Sequence, residues 1–145
     1  MSILRALTTA QKWVLAIAAL TLALAAGNLG RAVVAFHYAI NLPELSTTVS
    51  LGYFAAVGGF WSAVFIACAL GLSRFRAWGR WSTLVAVTLY QANVWVNRLL
   101  FNASDYARHA TSRNLILTTI LLLIFWAPLN LPAVTRAFDG SEERE

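Results

Sequence analysis

The chain has 145 residues, 59% of them hydrophobic and only 12% charged, with a net charge of +5. A soluble domain typically carries about 25% charged residues, so this chain has too few to cover a water-facing surface. The positive balance does not point to nucleic acid either, because the basic residues flank apolar runs and form no patch.

Charges are absent from Trp13 to Gly30, Leu45 to Ser73, Trp81 to Asn97 and Asn114 to Thr135. Crossing about 30 Å of hydrocarbon takes roughly 20 mostly apolar helical residues. The four runs therefore predict an all-α integral membrane protein, a four-helix bundle running up-down-up-down with no separate soluble module. Arg5, Lys12, Arg74, Arg76, Arg80, Arg136 and Arg144 then share one side. Only Arg108 and Arg113 fall in loops on the other, with Arg31 and Arg98 near the helix ends there. Positive residues concentrate on the cytoplasmic side, which places both termini inside the cell and the protein in a bacterial inner (plasma) membrane as a multi-pass chain.

The first twelve residues form a short amphipathic lead. A basic start followed by Ala23-Leu24-Ala25 imitates a signal peptide, but the apolar run continues to Ile40, well past a signal core of roughly 7–15 residues. The first span covers about residues 13–40, some 42 Å at 1.5 Å per residue, so it tilts or projects beyond the bilayer. Ala19, Ala23 and Gly27 recur every four residues as a smooth ridge, and Asn28, Arg31 and His37 occupy the outer third. Pro43 ends this helix, and Glu44 follows it in the outer loop.

The second span, about residues 51–72, repeats the four-residue spacing with Gly59, Ala63, Ala67 and Gly71, a surface suited to close contact with another helix of this chain or of a partner. Cys68, the single cysteine, excludes an internal disulfide. The inner loop alternates Arg74, Arg76 and Arg80 with Phe75, Trp78 and Trp81, a composition that suits lipid headgroups. The third span covers about 78–101. The outer connection carries Asp105, Tyr106, Arg108 and His109, with Ser104 placed to cap a short helix and Asn102-Ala103-Ser104 matching a glycosylation sequon. The fourth span covers about 114–131, where Pro128 removes the hydrogen bond to the Ile124 carbonyl and predicts a kink. Residues 1–135 form the single domain. Residues 136–145, polar and acidic, are expected to be a disordered cytoplasmic tail.

The third span carries the chemistry. Gln91, Asn93, Asn97 and Arg98 sit where lipid disfavours them, so they should face a helix, a cavity or a ligand. Gln91 and Arg98 are seven apart and share a face, while Asn93 and Asn97 are four apart on the neighbouring one. Counting about 1.5 Å per residue puts Asn28 and Arg31 of the first span at the depths of Gln91 and Arg98. Asn28, Arg31, Gln91, Asn97 and Arg98 are thus expected to form one ligand-binding cluster in the outer half, with Asp105 or Glu44 as counter-charge. Without those acids, an anionic lipid or solute would fill the place between Arg31 and Arg98, since the guanidinium fork suits carboxylate and phosphate.

Enzymatic readings find little support. His37 and His109 lie at the outer edge, and no span holds a carboxylate, a metal-spaced Cys/His set or a phosphate loop. No cofactor is indicated. The function expected is that of an accessory or scaffold subunit that binds a partner or lipid, with a small oligomeric transporter or channel for an anionic solute as the alternative.

Overall fold

A computed structural model describes residues 8–41, 50–101 and 111–142. These are all-helical: α1 Thr9–Asn41, α2 Leu51–Ser73, α3 Ala77–Phe101, α4 Thr111–Leu129 and α5 Pro132–Glu142. Among them α1, α2 and α4 are long and apolar enough to cross a membrane. Four spans were expected, and α3 does not join the three on composition. Its 25 residues are sufficient in length, but Gln91, Asn93, Asn97 and Arg98 lower its hydropathy.

α1 and α2 form the most extensive contact. The buried side of α1 follows Val14, Ala18, Thr21, Ala25, Asn28, Ala32 and Ala35, alternating steps of four and three. On α2 the buried positions are Gly58, Trp61, Ser62, Phe65, Cys68, Ala69, Gly71 and Leu72. This is a coiled-coil seam with small residues on one side, which allows the other helix to come close. At Gly58 the approach is so tight that a Cβ there would lie 2.9 Å from the Asn28 carbonyl oxygen. Thr21 and Thr83, fully buried, donate to the carbonyls of Ile17 and Gly79 at 2.7 and 2.6 Å, so neither hydroxyl is left unsatisfied.

α2 and α3 are joined by a three-residue turn with a specific closure. Arg76 N–H donates to the Gly71 carbonyl and Phe75 N–H to that of Leu72, with Phe75 left-handed at φ 53°. That is a Schellman motif with phenylalanine where glycine is usual. The helices then run antiparallel, Gly71 against Gly79, Trp61 and Phe65 against Tyr90, and Tyr53 against Asn97. α4 returns along α3, held by hydrogen bonds from Trp126 Nε1 to Thr88 Oγ1 and from Trp95 Nε1 to Thr118 Oγ1. Arg80 Nε donates to the Leu129 carbonyl at 2.8 Å and its Nη2 to Asn130 at 3.0 Å, which satisfies the carbonyl end of α4.

The core gathers at the end where the α2–α3 turn lies. Val14, Phe65, Leu72, Leu84, Val87, Phe125 and Leu129 meet there, each at most 1% exposed.

Three expectations need correction. The tail expected to be disordered from residue 136 continues as α5 to Glu142, because Val134 and Phe138, four apart, bury one face in that core and Phe138 packs on Phe75 with ring centroids 6.2 Å apart. Pro128 does not kink a continuing helix. α4 stops one residue later, and Pro132 opens α5 at a first-turn position where a missing N–H costs nothing. The Gly59, Ala63, Ala67 and Gly71 ridge is not one face: Gly71 is buried on Gly79, Gly59 is half-exposed, and Ala63 and Ala67 point away from the chain. Ala19 and Ala23 likewise face outward, and Gly27 borders the open end of the α1–α2–α3 group.

Candidate ligand cleft

At the end away from the turn, α3 leaves the α1–α2 pair and a cavity of about 740 Å³ opens among the three helices. That lies within the ~300–1,000 Å³ typical of small-ligand sites. α1 supplies Gly27, Asn28, Gly30, Arg31, Val34, Ala35 and Tyr38; α2 supplies Phe54, Val57, Gly58 and Trp61; α3 supplies Tyr90, Asn93, Val94, Asn97 and Arg98. On α3 these positions are three and four apart, one helical face. The floor is aromatic, with the Trp61 and Tyr90 rings 5.3 Å apart edge to face and Phe65 beneath them at 5.2 Å from Tyr90.

Four of the expected residues line this one cavity: Asn28, Arg31, Asn97 and Arg98. Gln91 does not. It is 8% exposed and turned to α4, where its Oε1 accepts from Thr118 Oγ1 at 3.2 Å, and Thr118 in turn accepts from Trp95. The face shared by Gln91 and Arg98 is real, but it meets α4, and Arg98 stands at its border. Arg98 Nη2 reaches Thr111 Oγ1 at 3.4 Å and its guanidinium lies 5.9 Å from the Trp95 ring, while its side chain still lines the cavity. Asp105 and Glu44 lie outside the described residues.

Asn93 belongs to the cavity although the expected cluster omitted it. Tyr53 O–H donates to Asn97 Oδ1 at 3.0 Å, and Asn97 Nδ2 donates to Asn93 Oδ1 at 3.0 Å. The relay links both amides to the Tyr53 hydroxyl, and Asn93 lines the cavity beside Asn97. Its spacing from Asn97 was the available signal. Asn28, 5% exposed, donates from Nδ2 to the Leu24 carbonyl at 2.8 Å. Arg31 is exposed and makes no hydrogen bond or ion pair among the described residues. No acidic residue lies in 8–41 or 50–101, so among the described residues the charged lining of the cleft is Arg31 and Arg98 alone.

Compared with protein-family models, curated proteins and solved structures, the chain matches none.

Proposed function

We propose that this protein is a small multi-pass subunit of a bacterial inner (plasma) membrane, a four-helix bundle running up-down-up-down with both termini in the cytoplasm. Antiparallel contacts along α2–α3 and α3–α4 support the bundle, and the sequence bias of Lys12, Arg74, Arg76, Arg80 and Arg136 toward the turn end, against Arg31, Arg98 and Arg113 toward the other, supports the orientation. Its role is non-catalytic: it binds a partner or lipid in the outer cleft and through outward helix faces that include Gly59, Ala63 and Ala67.

The observation that carries this reading is that the polar cleft is blind. Below Trp61 and Tyr90 it meets Phe65, Leu84 and Val87, which leave no polar path to the other end. A conducting route needs polar lining through the full depth. Among the described residues the cleft walls hold no Cys, His, Asp or Glu for nucleophilic or acid–base chemistry. The rival, an oligomeric carrier of an anionic solute, draws on the two arginines. Purification from native membranes with mass spectrometry of bound proteins and lipids, beside anion efflux from proteoliposomes, separates the two. A retained partner or lipid without efflux is the expected result. Efflux abolished by Arg98→Ala would replace the reading with the transporter.

A further inference from the structure

Resting on that reading, we infer that the occupant of the cleft is an anionic amphiphile, a lipid whose phosphate sits between Arg31 and Arg98 and whose apolar chain runs down over Phe54, Trp61 and Tyr90. The cleft is divided accordingly. Its rim offers the Arg31 guanidinium, which has no partner among the described residues, and the Asn93 amide, and its floor offers aromatic and aliphatic surface. A phosphate oxygen would take charge-assisted hydrogen bonds from the rim, where no acidic side chain among the described residues competes for them. A fully hydrated anion gains nothing from the floor, and a zwitterionic lipid brings its phosphate together with a cation that offsets the charge Arg31 would pair with. The surroundings agree with a lipid source: Val34 and Tyr38 of α1 and Val94 of α3 line the cleft and are exposed, so apolar surface reaches its opening.

The test uses the full chain in a neutral maltoside detergent, titrated with didecanoyl phosphatidylglycerol, didecanoyl phosphatidylcholine or inorganic phosphate. Binding is read by titration calorimetry and by native mass spectrometry. The expected result is one phosphatidylglycerol per chain, bound about tenfold or more tighter than phosphatidylcholine, with inorganic phosphate far weaker than either. Arg31→Ala should erase the preference for the anionic lipid, and Arg31→Lys should keep part of it. Because Arg31 is exposed, neither change disturbs the fold. Gly30→Leu, placed where an added Cβ meets nothing within 4 Å, should fill the cleft and weaken both lipids. Inorganic phosphate binding as tightly as phosphatidylglycerol would make this a free-anion site and overturn the inference. Equal affinity for the two lipids, or an Arg31→Ala protein with unchanged preference, would overturn it too. Efflux from proteoliposomes would instead sink the binding-subunit reading and leave the lipid preference standing.

Discussion

Replacing Gly79 by alanine should unlock the hairpin of α2 and α3. The two helices touch backbone to backbone at Gly71 and Gly79, and the Schellman turn fixes their separation only a few residues away. A Cβ on Gly79 would stand 2.7 Å from both Gly71 Cα and Leu72 N. Comfortable carbon contacts lie at about 3.5–4.0 Å, so the helices must part by roughly 1 Å. The obstacle is backbone, which has no rotamer to yield. Overpacking of this kind costs about 1–3 kcal/mol or more. The helix preference for alanine over glycine returns about 0.5–1 kcal/mol. The net effect is a loss of about 1–2 kcal/mol, and a melting temperature lower by about 4 °C in a chain of this size. Gly27→Ala is the control, because its new Cβ meets nothing within 4 Å and should stabilise by about 0.5–1 kcal/mol. Thermal unfolding in detergent, followed by tryptophan fluorescence, gives both signs in one experiment. If Gly79→Ala melts at or above the parent, or Gly27→Ala falls as far, the reasoning from close backbone approach fails.

Other consequences follow from contacts elsewhere. Phe75 holds a left-handed conformation that costs a side-chain-bearing residue about 1–2 kcal/mol. Phe75→Gly should therefore melt above Phe75→Ala, while both lose the ring that meets Phe138 and become cleavable by trypsin at the exposed Arg136. Arg80→Ala strips the partner from the Leu129 carbonyl, with an expected loss of about 1–2 kcal/mol; Arg80→Lys should recover only part, because one ammonium on a flexible stem does not reproduce the fork's reach to Leu129 and Asn130 together. Thr118→Val removes the hydroxyl that Gln91 and Trp95 share, and leaving Gln91 buried without that donor should cost about 1–3 kcal/mol in the same melting assay.

Much of this arrangement is legible in the amino-acid order, and the failures have physical causes. The spans read from the uncharged runs and their flanks, about 13–40, 51–72 and 114–131, lie within four residues of the ends of α1, α2 and α4 because loss of charge is what a bilayer selects. Counting depth along α1 and α3 pairs Asn28 and Arg31 with Gln91 and Arg98; Asn28, Arg31 and Arg98 line one cavity, and Gln91 does not. The small-residue ridges mislead because a strict spacing of four advances about 40° per step around a helix, so Gly59, Ala63 and Ala67 drift away from the axis of contact while Gly71 returns to it. The seam that packs, Val14 through Ala35, alternates four and three and drifts only about 20° per heptad. Gln91 was assigned by its face, but helical periodicity does not say which neighbour a face meets. α5 was missed because its apolar content is small. Two side chains, Val134 and Phe138, suffice once a core waits beneath them, as composition alone does not reveal.

The blind cleft with its two arginines is tested most directly by cysteine accessibility in liposomes. On a Cys68→Ala background, Arg31→Cys, Asn93→Cys, Leu84→Cys and Val87→Cys are each exposed to membrane-impermeant methanethiosulfonates of either charge, applied from one side at a time. Positions 31 and 93 should react from the outer side only, and at position 93, where both arginines remain, the negatively charged reagent should be the faster. Positions 84 and 87, at 1% and 0% exposure in the core, should react from neither side. Modification of Leu84→Cys or Val87→Cys from either side would reveal a continuous aqueous path and contradict the account.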